Sequence, residues 1–275
     1  MHVYSNYNGF LVEDGEKLFN STNRAFKFGD ALFETLKVSN SKILFWDKHY
    51  QRLQYTLDFL GFDTTGVDQA FWENQLQKVF VRNNFPDARL RLTIYRDSPG
   101  LYVPQRHKCA FLIEGTSLDK SNYELNVKGL NIGIYSEVLR SRQKFSNLKT
   151  TNSLNFILAG LFAEKHSFDD VIILNDAGRV SEAVSSNVFV VTGDQIMTPS
   201  LDEGCINGVM RKVLLEMHPA KIKEGLVDME MLKNADEIFF TNAIRGIQWV
   251  SSFDGKNYSA NRSSQLMNML NMSLL

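Results

Sequence analysis

Cysteine is nearly absent from this chain. Its 275 residues hold two, Cys109 and Cys205, with no CxxC spacing and no histidine-rich stretch nearby, so neither a disulfide framework nor a zinc or other metal centre is expected. A surplus of charge is missing as well. Thirty Lys and Arg face thirty-one Asp and Glu, a formal net charge of -1, which offers no field for gripping nucleic acid or an anionic membrane. No apolar run reaches the length of about 18 residues that spans a bilayer. The first residues lack the basic start and apolar stretch of a signal peptide, so a soluble, cytoplasmic protein is the expectation. Neither GxGxxG nor GxxxxGK[ST] occurs, which excludes the Rossmann and Walker phosphate loops. Internal repeats and low-complexity tracts are absent too. What is present is ordinary globular material: 44% hydrophobic and 22% charged residues, enough to bury a core in one large or two modest domains.

The hydrophobic spacing predicts two α+β halves. Met1 to Asn6 and Phe10 to Glu13 read as a hairpin about a Tyr7-Asn8-Gly9 turn. Asn20 to Gly29 reads as a loop, Ala31 to Val38 as a strand, and Ile43 to Trp46 as another after an Asn40-Ser41 turn. Tyr50, Leu53, Leu57 and Leu60 recur at helical spacing from Asp47 until Gly61 stops them. A second helix covers about Asp68 to Asn84, and Arg89 to Tyr95 with Phe111 to Glu114 read as paired strands. The polar stretch 117–121 is the expected linker between an N-terminal domain, 1–116, and a C-terminal domain, 122–275. Beyond it, Asn131 to Ser136, Asp170 to Asn175, Val188 to Thr192 and Ile238 to Thr241 read as strands. Ser153 to His166 reads as a buried apolar helix, and Gly208 to Met217 as a helix following a glycine loop.

Four segments could carry chemistry. Lys149 precedes Thr150-Thr151-Asn152 and then the apolar helix. A lysine reaching an interior cavity from there would lose solvation and become nucleophilic toward an aldehyde; a solvated lysine in a polar loop is the competing reading. Glu182, in Gly178-Arg179-Val180-Ser181-Glu182, must be exposed on a turn or have a partner, and a pyridinium N–H would be one. Gly204-Cys205-Ile206-Asn207-Gly208-Val209-Met210-Arg211 opens a helix whose free N–H groups suit a phosphate, though many helices start so without binding anything. Thr241 and Asn242, at a strand end, could add a hydroxyl and further donors, or simply cap a turn. Arg52 lies at the edge of the first long helix's buried face, where a guanidinium could meet a phosphate or cover the core.

The order of these segments resembles the fold-type IV, or class IV aminotransferase, family of pyridoxal-phosphate (PLP) enzymes over nearly the whole chain. Six stretches carry the resemblance: Asn23 to Thr35, His49 to Leu53, Lys149 to Asn152, Ser181-Glu182 with Asn187, Asn207 to Arg211, and Glu237 to Asn242. The resemblance implies a two-domain α+β fold like that of D-amino acid aminotransferase, with mixed sheets and a cofactor cleft between the domains. It implies PLP bonded to Lys149, Glu182 at the pyridine nitrogen, and Ile206 packed against the ring. Arg52, the backbone of Val209 and Met210, and Thr241 would hold the phosphate. It also implies a homodimer, with a small amino compound as substrate.

Within the family, three stretches resemble the 4-amino-4-deoxychorismate lyases: Phe33-Glu34-Thr35, where the threonine would help proton transfer; Asn207 to Arg211; and Thr241 to Gln248. Trp249 and Gly29 to Leu32 depart from the lyase pattern. Ser153 and Leu154 replace a tyrosine of the branched-chain aminotransferases. Arg96 matches a carboxylate-binding position of the D-amino acid aminotransferases, or forms a salt bridge to Asp97 or elsewhere. Phe33, Arg96 and Asn242 are the substrate-side candidates, with Lys149 and Thr35 as catalytic residues. The resemblance therefore implies a lyase releasing pyruvate and 4-aminobenzoate. The alternatives are a branched-chain or D-amino acid aminotransferase, or a non-catalytic relative that binds PLP.

Overall fold

In the computed structural model, which describes residues 2–274, the chain divides into two compact units. The first runs to Ser121 and takes in Lys149–Asn152; the second comprises Asn122–Leu148 and the chain from Ser153 onward.

The first unit contains β1 (Tyr4–Tyr7), β2 (Phe10–Glu13), α1 (Arg24–Phe28), β3 (Ala31–Ser39), β4 (Lys42–Ile43), α2 (Trp46–Phe59), α3 (Gln69–Arg82), β5 (Ala88–Arg96) and β6 (Cys109–Ser117). The strands form one antiparallel sheet in the order β2-β1-β6-β5-β3-β4. Its opening hairpin turns at Asn8 and Gly9, both at positive φ (51° and 95°), with Tyr7 opposite Phe10; this is the Asn-Gly geometry that matches strand twist. The expected start of that hairpin at Met1 lies outside the described residues. Alternation sorts β3 and β5 into two faces. Leu32, Leu36, Leu90, Leu92 and Ile94 enter a core with Leu53 and Leu57 of α2 and Trp72 and Leu76 of α3. Each such buried leucine contributes on the order of 2 kcal/mol. The opposite face carries Phe33, Thr35, Arg91 and Thr93, with Thr35 directly across from Arg91 and Phe33 across from Thr93.

Several sequence expectations are corrected here. The segment read as a loop, Asn20 to Gly29, contains α1: Asn23 caps it by accepting from the Phe26 N–H, and Gly29 ends it at φ 64°. Five residues are too few for a helical period to show. The strand expected over Ile43 to Trp46 stops at Ile43, because Phe45 turns into the left-handed region (φ 54°) and Trp46 begins α2. The expected linker begins too early, since Ser117 still pairs with Ala88 in the sheet. Lys149–Asn152 belongs with the first unit rather than the C-terminal one, for a reason given by its backbone pairing below.

The second unit contains β7 (Leu130–Arg140), α4 (Leu154–Lys165), β8 (Asp170–Asn175), β9 (Val180–Ala183), β10 (Asn187–Thr192), β11 (Gln195–Pro199), α5 (Val209–Met217), β12 (Ile222–Gly225), α6 (Met229–Asn234), β13 (Glu237–Asn242), β14 (Gly246–Phe253), β15 (Lys256–Asn257) and α7 (Arg262–Met272). Its mixed sheet runs β12-β11-β10-β13-β14-β7-β8-β9, with β15 on β14. Neighbours are parallel at β11/β12, β14/β7 and β7/β8, and antiparallel elsewhere. The sheet curls until β9 lies beside β10. Val188, Val190, Ile238, Phe240 and Val250 fill its core. Of the two readings left open for Glu182, β9 removes the exposed turn: Val180 through Ala183 are all buried. The helix expected to be buried, α4, sinks only Ala159 and Ala163 against Tyr135, Val171 and Ile173. Its Leu154 and Ile157 are 67% and 55% exposed, and Leu158 and Leu161 are exposed with them.

Candidate active site

In the first unit, the backbone around Lys149 adds to the edge of β3. The Phe33 N–H donates to Lys149 O at 2.9 Å and the Thr151 N–H to Ala31 O at 3.0 Å, with Leu32 opposite Thr150 in an antiparallel bridge. Gly29 permits this approach. A Cβ there would stand 2.5 Å from Asn152 Oδ1, and its φ of +64° already disfavours a side chain. The pairing sets Lys149 Nζ 4.4 Å from the Phe33 ring centroid. Arg91 Cζ lies 3.8 Å from the centroid of that same ring. Two cations thus share one aromatic ring, with Thr35 two residues along the same face. Burial pulls Arg91 below the ordinary arginine value, against the pull of Glu114.

On the core face of β3, Glu34 is buried with His49 of α2, and the half-buried Arg52 of the same helix joins them. Arg52 donates twice, Nε to Oε1 at 2.8 Å and Nη2 to Oε2 at 2.6 Å, and His49 Nδ1 lies 2.7 Å from Oε2. Burial alone would raise the Glu34 carboxyl. The Arg52 charge and the His49 contact outweigh it and hold the group at about 2. Burial lowers His49, and the nearby Arg52 and Lys149 charges act in the same direction. A carboxylate only accepts, so the His49 Nδ1 carries the proton of that bond.

In the second unit, Glu182 of β9 is 3% exposed. The Ile206 N–H donates to its Oε2 at 3.0 Å, and Asn187 Nδ2 donates to Ile206 O at 2.9 Å. The same Asn187 presses against the helix start: a Cβ on Gly208 would come within 1.8 Å of its Oδ1, so the 206–208 backbone needs a glycine for close approach. Asn147 Nδ2 donates to Leu201 O and Cys205 O at 2.8 and 2.7 Å. Burial pushes the Cys205 thiol up to about 12, which leaves it without nucleophilic character.

Two features of this unit fit a phosphate. α5 begins at Gly208 with no side-chain cap, leaving its first turn to an outside acceptor. It packs beside β13, whose Thr241 is 1% exposed and whose Oγ1 has no hydrogen-bond partner. An unsatisfied buried hydroxyl is costly unless something completes it. Val209 and Met210 bury their side chains, so only their backbone is offered.

Two substrate candidates are otherwise engaged. Arg96 pairs with Asp30 rather than Asp97 (Nε to Oδ2, 3.1 Å) and donates to Gly61 O and Leu60 O at 3.0 and 2.6 Å. It lies 5% exposed in the wall of a pocket of about 520 Å³ lined also by Arg24, Lys27, Tyr95 and Arg106. Asn242 caps the turn after β13, accepting from the Ile244 and Arg245 N–H groups, while its amide donates to Ser186 Oγ at 3.1 Å. Arg91 escaped the sequence reading, yet the alternation Arg89-Leu90-Arg91-Leu92 held the signal: if Leu90 and Leu92 face the core, Arg91 must share a face with Phe33 and Thr35.

The first unit thus sets a lysine beside an aromatic ring and a second cation, and the second unit carries a buried carboxylate and, separately, a helix start without a side-chain cap beside a buried hydroxyl that has no partner among the described residues. The chain belongs to the amino-transferase class IV family, whose model matches residues 31–253. It is 26% identical over 261 residues to a D-alanine aminotransferase of Bacillus licheniformis, covering 91% of this chain and 88% of that one. It is 27% identical over 264 residues to an aminodeoxychorismate lyase of Bacillus subtilis (strain 168), with 92% and 87% covered. Its fold matches that of a branched-chain amino acid aminotransferase from Escherichia coli with a TM-score of 0.88 at 20% identity, over 98% of this chain and 93% of that one. The family is PLP-dependent, and PLP is the cofactor of this enzyme. Among the described residues, no group of His, Cys, Asp and Glu could hold a metal ion, and no helix is long and apolar enough to cross a membrane.

Proposed function

We propose that this enzyme is a 4-amino-4-deoxychorismate lyase, releasing pyruvate and 4-aminobenzoate for folate synthesis in the cytoplasm. The observation that carries this reading is the shared face of β3 and β5, on which Thr35 stands opposite Arg91 and beside the ring under Lys149 Nζ. Lys149 would hold the cofactor by its Nζ and Glu182 would accept from the pyridine N–H. Ile206 would pack on the ring, while Arg52, the Val209 and Met210 backbone and Thr241 would bind the phosphate. Bound so, the cofactor supplies an electron sink for the carbon that carries the substrate nitrogen. Once the substrate amine displaces it from the cofactor, Lys149 Nζ would take the proton from that carbon, and the Thr35 hydroxyl would help pass a proton to the departing enolpyruvyl group, which leaves as pyruvate. Arg91 offers a guanidinium to a substrate carboxylate. Loss of pyruvate then leaves an aromatic ring, which drives the elimination.

The aminotransferase reading shares the first proton transfer and differs in where the proton returns. It is favoured by the similarity to D-alanine aminotransferase, and Arg91 would serve an amino-acid or oxo-acid carboxylate equally well. Purified enzyme loaded with PLP separates the two. Pyruvate and 4-aminobenzoate from aminodeoxychorismate, without amino transfer from D-alanine or branched-chain L-amino acids to 2-oxoglutarate, supports the lyase; amino transfer alone overturns it.

The same proposal includes a homodimer. The exposed row Leu154, Ile157, Leu158 and Leu161 on α4 is an apolar stripe of the kind that a second copy would cover.

A further inference from the structure

Glu182 is met from two directions. Beside the Ile206 N–H on Oε2, Arg140 Nε stands 3.0 Å from Oε1. Nε makes no aligned hydrogen bond, so this contact acts through charge. Arg140 ends β7, and its Nη2 donates to Ser146 O at 2.6 Å and Gly204 O at 3.1 Å. Its guanidinium also lies 4.9 Å from the Phe156 ring centroid. Ser146 belongs to the 3-10 turn Lys144–Asn147, and Gly204 opens the loop that leads to Ile206. The side chains of Arg140 and Glu182 are 13% and 4% exposed. The arginine is therefore pinned by two carbonyls and a ring before it reaches the carboxylate, and it cannot swing away without breaking those bonds. A guanidinium fixed beside a buried carboxylate favours the charged form and sets the carboxylate's direction.

We infer that Arg140 is a positioning residue that holds Glu182 as a charged acceptor, and so sets how firmly the pyridine nitrogen of the cofactor keeps its proton. This rests on the reading that Glu182 faces that nitrogen. A Glu182 that took a proton itself would offer an N–H donor only a neutral carbonyl oxygen in place of a carboxylate, and the ring would become a weaker electron sink.

The test compares Arg140→Met, Arg140→Lys, Glu182→Gln and the Arg140→Met/Glu182→Gln double variant as holoenzymes. Readouts are the pH titration of the cofactor's visible absorbance, PLP retained after dialysis, and the melting temperature of each apo form. Glu182→Gln is expected to change the titration. Arg140→Met should change it in the same sense and retain PLP roughly tenfold less tightly. Arg140→Lys should restore most of the titration while melting lower, because an ammonium keeps the charge and cannot make both carbonyl bonds. The double variant should titrate like Glu182→Gln alone. A normal titration in Arg140→Met beside an altered one in Glu182→Gln overturns the inference and leaves the Glu182 reading standing. Normal titrations in both overturn the Glu182 reading as well. Should Arg140→Met fail to fold, Arg140→Gln takes its place and is read in the same way: an altered titration in the sense of Glu182→Gln supports the inference, and a normal one overturns it.

Discussion

Glu34 grips Arg52 with both of its oxygens, accepting from Nε at 2.8 Å and from Nη2 at 2.6 Å. One residue lies on β3 and the other on α2, so the pair rivets helix to sheet one position along from Phe33, the ring beside Lys149 Nζ. His49, one turn before Arg52, closes the array from the same helix. Glu34→Gln removes the carboxylate that grips the half-buried Arg52 guanidinium. Chemical denaturation is expected to show a loss of about 3 kcal/mol, and dialysis a weaker hold on PLP.

The same carboxyl makes acid stability predictable. Its folded value is depressed from 4.5 to about 2. The stabilisation it provides is complete above the unfolded value and disappears as pH falls through the folded one. Wild-type stability should therefore drop between about pH 4.5 and 2. The drop should be shallower in Glu34→Gln, as read by denaturant titrations across that range.

Asp170 behaves in the opposite sense. Burial raises it from 3.8 to about 6, against backbone donation from the Val171 and Val184 N–H groups. A raised acid binds its proton better folded than unfolded, so the charged form costs stability above pH 6 and that cost fades as pH falls toward 3.8. Asp170→Asn keeps an acceptor for both N–H groups. It should stabilise the protein by roughly 1–2 kcal/mol at pH 8 and by almost nothing at pH 4, measured by urea unfolding at the two pH values.

Arg91 and Thr35, paired across β3 and β5, should separate kinetically. Arg91→Gln is expected to raise KM for the substrate by roughly tenfold or more, with the cofactor absorbance unchanged, because a charge-assisted bond to a carboxylate is lost. Thr35→Val should lower kcat and leave KM nearly as it was.

The apolar row on α4 should govern association. Ile157→Asp with Leu161→Asp replaces two exposed apolar side chains with charges. Sedimentation is expected to show a dimer for the wild type and a monomer for the double variant, with the far-UV spectrum of the fold retained.

The sequence announced the long elements because their periods repeat: Leu53 and Leu57 mark α2, and alternation marks β3 and β5. It hid the short ones. α1 has five residues and β9 four, too few to show a period, although Asn23 and Gly29 bracketed α1 with recognisable caps. Lys149, Glu182, Arg52 and Thr241 were legible as candidates through the order of their segments. What holds them was not. Arg140 reaches Glu182 across 42 positions of sequence, and Glu34 meets Arg52 from a different element, so only the folded chain displays those partners. Arg96 stood as a substrate candidate through its match to a carboxylate-binding position of the D-amino acid aminotransferases, and Asn242 through its place at a strand end beside Thr241. Folding commits them to Asp30, Gly61 and Leu60 in one case and to the turn after β13 in the other.

Lys149 is the residue proposed to carry the cofactor. Reduction of the PLP-loaded enzyme with borohydride, followed by proteolysis and mass spectrometry, reads this directly. A single pyridoxyl adduct on the peptide containing Lys149, lost in Lys149→Ala, is the predicted result. An adduct on any other lysine, or no adduct from an enzyme that retains PLP and its visible absorbance, would contradict it.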